Sequence, residues 1–219
     1  MRLKYNKNAL SSLLDDKVYF VDHNKLDGKK DNNLFPKKQK TFLEIGCGKG
    51  DFIINLAQQN PQNNYIAVEK YPTVLFYVLK KVKDMNLSNL KLMSFDAKDL
   101  LEIFAPDTFD GIYLNFSDPW PKFRHEKRRL TYKSFLEIYK TILKSSGFIQ
   151  QKTDNDNLYL YSITSFVDNK WNIVKESRDL YKNLELLKNN VPTEYEKKWH
   201  NLGKNINYLL ATFPNNEKG

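Results

Sequence analysis

From Thr41 onward the chain alternates short apolar runs with segments of helical periodicity, and this alternation restricts the fold more than any other feature. Thr41–Ile45, Asn64–Glu69, Leu90–Phe95, Phe109–Phe116 and Gly147–Thr153 read as strands. Asp51–Gln59, Thr73–Met85, Lys98–Phe104, Tyr132–Leu143 and Asn155–Val167 read as the intervening helices. Trp171–Glu176 and Asn207–Phe213 read as two closing strands. Strands that alternate with helices build βαβ units and a parallel sheet. Right-handed crossovers bring the strand C-termini to one edge, where such sheets bind ligands. The expected class is therefore α/β.

Residues 1–40 lack this rhythm. They carry ten Lys or Arg against five Asp and read as a basic N-terminal arm, with at most one short helix around Asn8–Leu14. Residues 41–219 read as a single domain, which suits a chain of 219 residues. A net charge of +9 favours a polyanionic partner. Cys47 is the one cysteine, so no intramolecular disulfide is possible. His23, His125 and His200 are scattered far from it, so no metal site is expected. The stretch Met1–Leu14 has no continuous apolar run of signal-peptide length. No apolar run approaches the roughly 20 residues that span a bilayer. A soluble, cytoplasmic protein is expected, either monomer or homodimer, with no obligate protein partner.

The first predicted strand runs into Glu44-Ile45-Gly46-Cys47-Gly48-Lys49-Gly50 and then a helix. A dinucleotide fingerprint needs G-x-G-x-x-G, but here the third glycine comes one residue early and Asp51 follows it. A phosphate-cradling loop needs Gly-Lys-Ser/Thr, which is also absent at this point. An acid at the helix start suits a cofactor without phosphate. The E-x-G-x-G-x-G pattern resembles the class I S-adenosylmethionine-dependent methyltransferases. That resemblance implies a Rossmann-like, mostly parallel seven-stranded sheet with helices on both faces and an antiparallel last strand. Glu69 ends the second strand about 20 residues beyond the loop, where an acid accepts from ribose hydroxyls. Asp96, followed by Ala97, ends the third strand, where a carboxylate suits an adenine amine or caps the next helix.

The fourth strand leads into Asp118-Pro119-Trp120-Pro121-Lys122-Phe123-Arg124-His125-Glu126-Lys127-Arg128-Arg129. Of 35 basic residues only five are Arg, and three of them stand here. A guanidinium pairs bidentately with phosphate and stacks on bases, which an ammonium does not. The segment reads as a stiff turn that sets one carboxylate beside a phosphate-binding run.

This string closely resembles the bacterial tRNA (guanine-N7-)-methyltransferase family. Lys152-Thr153-Asp154 and Thr193-Glu194-Tyr195-Glu196-Lys197-Lys198-Trp199 fit that family too, so the resemblance runs from about residue 41 to the end. It implies methyl transfer from S-adenosylmethionine to N7 of guanine 46 in the tRNA variable loop. Glu44, Gly46, Gly48, Gly50, Glu69, Asp96, Ala97 and Asp118 would hold the cofactor, and Asp118 would be catalytic. Lys122, Asp154, Thr193, Glu194, Tyr195 and Glu196 would contact the guanosine. Arg124, His125, Lys127, Arg128 and Arg129 would hold RNA phosphates. Thr193-x-x-Glu196 after Pro192 is equally a capping box. Three rival readings are weaker. The basic run counts against a small-molecule methyltransferase. The intact glycines and strand-end acids count against a non-enzymatic RNA-binding scaffold. The glycine spacing counts against an NAD-dependent oxidoreductase.

Overall fold

The structure, a computed structural model, describes residues 5–26 and 34–213. In chain order its elements are α1 (Ala9–Asp15), β1 (Lys40–Ile45), α2 (Asp51–Gln59), β2 (Asn63–Val68), α3 (Pro72–Val82) and β3 (Leu90–Met93). There follow α4 (Leu100–Ile103), β4 (Phe109–Asn115), α5 (Lys133–Ile142), β5 (Leu143–Thr153) and α6 (Asp156–Asp168). The last are β6 (Asn172–Ser177), α7 (Leu184–Lys188), α8 (Glu194–Asn201) and β7 (Asn207–Thr212).

The seven strands form one sheet in the order β3-β2-β1-β4-β5-β7-β6. The first five are parallel, and β7 inserts antiparallel between β5 and β6. Near-continuous apolar runs such as Tyr65–Val68 arise because both faces of the sheet are covered. On one face Leu43, Ile66, Ile112 and Ile149 pack with Phe135, Leu136, Tyr139 and Ile142 of α5. On the other, Tyr65, Ala67, Leu90 and Leu92 pack with apolar residues of α2 and α3. A third, smaller cluster joins Leu180, Ile206 and Tyr208 to Trp199, Leu186 and Phe116. It fixes the segment carrying α7 and α8 against the sheet edge. The reversal of strand order beside β1 places the C-terminal ends of β1, β2 and β4 around one crevice.

Two features differ from the sequence reading. The described part of the arm lies on the domain: Ala9 and Leu13 of α1, with Tyr19 and Phe20, are buried, and Phe20 bridges Leu92. The arm residues 1–4 and 27–33 lie outside the described residues. Also, β5 begins at Leu143 rather than Gly147, because α5 ends directly into it. Among the described residues no helix is long and apolar enough to cross a membrane.

Candidate active site

Gly46, Gly48 and Gly50 link β1 to α2 with φ of +75°, +55° and +78°, the left-handed region that L side chains rarely adopt. The loop is tied down by Gly46 and Cys47 amides donating to the Val68 carbonyl. A Cβ at Gly46 or Gly48 would meet nothing within 4 Å, so this backbone faces open space. That space is a cavity of about 530 Å³. Its floor is Glu44, the glycine loop, Phe52 and Asn115, and its far wall is Phe116 with Thr193, Glu194, Tyr195 and Lys198. Gly50 is different, because a Cβ there would lie 2.6 Å from Val78 Cγ1. Gly50→Ala should therefore destabilise the protein by roughly 1–3 kcal/mol, combining a forbidden φ with overpacking. Chemical denaturation tests this, and a midpoint equal to wild type would refute the close approach.

Glu44 is buried, and its Oε1 accepts from Asn115 Nδ2 at 2.9 Å. Burial lifts its carboxyl to about 8, against the pull of Asn115 and Lys152. Its Oε2 and Asn115 Oδ1 are buried without a partner among the described residues. Unpartnered oxygens of this kind call for a polar ligand, and a cationic one would favour the ionised Glu44 carboxylate. Glu69 closes β2 and accepts from the Gly48 amide (3.2 Å) and the Tyr71 amide (3.1 Å). Burial raises its carboxyl, and the nearby Asp118 charge adds to that. Asp96 accepts from the Lys98 amide (3.2 Å) and pairs with Lys70 (2.7 Å). Burial opposes its charge, but Lys70 and the Lys98 amide hold the carboxyl below its ordinary value. Ala97 is buried beside it. Cys47 also lines the cavity, but burial pushes its thiol well up, so it is no nucleophile.

Asp118 lies just beyond β4, is exposed, and has no hydrogen-bond partner among the described residues. Its charge acts on both Glu69 and Tyr195, and it stands two residues beyond Phe116, which lines the cavity. Phe116 and Trp120, on either side of it, have φ of +51° and +42°. Such backbone costs about 1–3 kcal/mol per residue and persists only where surroundings hold it. Trp120 meets His125 edge-on at 5.7 Å and carries Arg128 over its ring at 4.9 Å. Lys122, Arg124, Lys127 and Arg128 are exposed.

The late motifs divide. Asp154 does not cap α6, since Asn155 does, and instead meets Lys204 at 3.2 Å. Thr193 and Glu196 form both halves of a capping box for α8. Glu196 is fully buried and turned away from the cavity. Its Oε2 accepts from Lys152 Nζ at 2.5 Å, and its Oε1 from Asn190 and Tyr181. With every lone pair so engaged, Glu196 is not placed to contact a base, contrary to the expectation. Thr193, Glu194 and Tyr195 do line the cavity. Glu194 spans back to the glycine loop, both oxygens 2.9 Å from Lys49 Nζ. Arg129 also departs from expectation. Its guanidinium is turned onto the protein's own backbone, with Nε donating to the Pro119 carbonyl and Nη2 to the Trp120 carbonyl, each at 3.1 Å. Sequence reasoning named Lys152 only within its motif, without its buried role, and gave no role to Asn115 or Lys49. Asn115 pairs in register with Lys152 at the end of the neighbouring strand, the signal that would have found it.

Comparison with known proteins agrees with this arrangement. A family model described as "Putative methyltransferase" matches residues 38–209. A tRNA (guanine-N(7)-)-methyltransferase of Mesoplasma florum is 51% identical over 80% of this chain and 81% of its own length. Its counterpart in Mycoplasma mycoides is 47% identical over 94% of this chain and 96% of its own. That of Streptococcus suis is 42% identical over 97% and 100%. Among solved structures, an antibiotic-related methyltransferase superposes with a TM-score of 0.62 at 15% identity, covering 98% of this chain and 97% of its own. A SAM-dependent methyltransferase from Aquifex aeolicus gives 0.54 at 14% identity, over 95% and 98%. The sheet order, with its antiparallel last strand, is thus the Rossmann-like methyltransferase fold. With matches of this extent and identity, the chain belongs to the tRNA (guanine-N(7)-)-methyltransferase family.

Proposed function

We propose that this protein transfers a methyl group from S-adenosylmethionine to N7 of guanine 46 in the variable loop of tRNA, working in the cytoplasm. The observation that carries the reading is the unpartnered Asp118 carboxylate, set between a glycine-lined cavity and a run of exposed cations. The cavity suits the cofactor. Gly46 and Gly48 leave room for close approach, and the orphaned Glu44 and Asn115 oxygens suit its ammonium. Glu69 and Asp96 would hold the ribose and the adenine, with Ala97 beside them. When bound, S-adenosylmethionine supplies an electrophilic methyl on a sulfonium.

Guanine N7 carries an in-plane lone pair and loses no proton on attack, so no strong general base is needed. The methylated base is cationic. Asp118 would stabilise that growing charge electrostatically, or hold the base by its amino edge. Thr193, Glu194 and Tyr195 would face the base, with Glu194 exchanging Lys49 for guanine N1–H and the 2-amino group. Adenine offers no such donor pair. Asp154 and Lys122 would border the nucleoside. Arg124, His125, Lys127 and Arg128 would fix the phosphates around a splayed-out base, which positions the RNA rather than reading it. Most of the rate enhancement would come from holding methyl and N7 close and in line.

The test is transfer from labelled S-adenosylmethionine to unmodified tRNA, with the product nucleoside mapped. Label recovered as 7-methylguanosine in the variable loop is the expected result. A protein whose melting temperature rises with the cofactor, but which labels no tRNA, would overturn the substrate assignment.

A further inference from the structure

The Asp118 turn is strained on both flanks, so something must hold it. Phe116 is fixed by its amide, which donates to the Lys152 carbonyl at 2.8 Å, and by Tyr195 at 5.1 Å between ring centroids. The far flank, Trp120, has no such ladder bond among the described residues. There the Arg129 guanidinium donates to two successive carbonyls, Pro119 and Trp120. Its other face lies 4.2 Å from the Tyr161 ring centre on α6. Burial and the neighbouring Glu126, which accepts from the phenol, raise the Tyr161 hydroxyl to about 12, so that ring remains a neutral platform. Proline at 119 offers a carbonyl but no N–H, so the turn cannot hydrogen-bond through that amide. A planar fork with fixed donor spacing suits two adjacent carbonyls, and an ammonium cannot reproduce it.

We infer that Arg129 is a positioning residue: it clamps the Pro119–Trp120 backbone to α6 and thereby aims Asp118, while its neighbour Arg128 serves the RNA. This rests on the methyl-transfer reading only for its kinetic consequences. Two adjacent arginines in one basic run then have separable effects. Arg128 is exposed and stacked on Trp120, free to meet a phosphate.

The test compares Arg129→Ala, Arg129→Lys and Arg128→Ala in the full chain. For Arg129→Ala, the single-turnover rate at saturating tRNA should fall about 10²-fold, the scale of a misplaced catalytic group. Its tRNA affinity should stay within about two-fold, with an unchanged salt slope. Added methylguanidinium should restore part of the rate to the alanine variant. Arg128→Ala should instead weaken tRNA binding, with the slope of log affinity against log salt reduced by about one phosphate's worth. Hydrogen exchange of the amides in 116–122 should quicken in both Arg129 variants and not in Arg128→Ala. That last readout needs no substrate, so it stands even if the wild-type protein methylates no tRNA. If the alanine variant fails to fold, the lysine variant carries the same comparison. Unchanged exchange at 116–122, or an Arg129 variant with full rate and a reduced salt slope, would overturn the clamp.

Discussion

Asp118→Ala is expected to lower the single-turnover rate of methyl transfer by about 10²–10³-fold or more, while tRNA affinity stays within about three-fold. The size follows from where the carboxylate stands. It has no hydrogen-bond partner among the described residues, and its charge already acts on Glu69. A base entering between the glycine loop and α8 would meet that charge as its own positive charge develops. Little ground-state binding is lost with it, because the exposed cations of the same loop supply the RNA contacts. Asp118→Asn separates the two roles left open above. If Asp118 acts by charge, asparagine is nearly as slow as alanine; if it acts by accepting from the amino edge, asparagine recovers much of the rate. Rapid-quench measurements with labelled cofactor, beside filter binding of tRNA, give both numbers. An Asp118→Ala rate within about ten-fold of wild type would remove this residue from the chemistry.

The second large effect lies behind the site. Lys152 and Glu196 are both fully buried and 2.5 Å apart, with Asn190, the Val191 carbonyl, Tyr181 and the Thr193 amide completing their hydrogen bonds. Burial lowers the Lys152 ammonium's pKa, and Glu196 pulls it back up. Removing one partner leaves an uncompensated buried charge, which costs about 3–5 kcal/mol. For a protein of this size that is roughly 6–20 °C in melting temperature. Lys152→Ala and Glu196→Ala should each show a loss of this order. Lys152→Met with Glu196→Leu should recover part of it, because no charge is stranded, while Asn190, Tyr181 and the Thr193 amide lose their acceptor. Calorimetry of the three variants decides the matter, and single variants melting within a degree or two of wild type would refute the coupling. The loss would also be felt in the cavity. Lys152 is one of the groups that lower the Glu44 carboxyl, so without it Glu44 would be held still more firmly in its neutral form.

The fold was legible in the sequence because its signals are local and repeated. Each strand from Thr41 to Asn115 carries a short apolar run, and Asp51, Pro61 and Pro72 punctuate the helices. The glycine loop was legible for a similar reason, since its three left-handed residues leave glycine as the natural choice. What was not legible depends on direction. Arg128 and Arg129 are identical and adjacent, yet one stacks on Trp120 and the other grips the backbone below it. Charge counting cannot separate them, because the difference is set by α6, thirty-odd residues later. Lys152 was unreadable for a related reason: a lysine at a strand end looks solvated until Glu196, from a distant helix, is seen to cover it. The docking of the arm rests on Ala9, Leu13, Tyr19 and Phe20, whose irregular spacing carries no periodic signal.

The placement of β7 has a temporal meaning. Among the described residues β6 pairs with no strand other than β7, and β7 is made after the other six strands. While the polypeptide leaves the ribosome, residues 40–153 can already assemble the five parallel strands and the glycine loop. Until residues 206–212 emerge, β6 has no strand to pair with, and the cluster that seats α7 and α8 lacks Ile206 and Tyr208. A half-made protein would thus hold the floor of its cavity but not the wall bearing Thr193, Glu194 and Tyr195. Synthesis order would then keep nascent chains from engaging tRNA before they are finished.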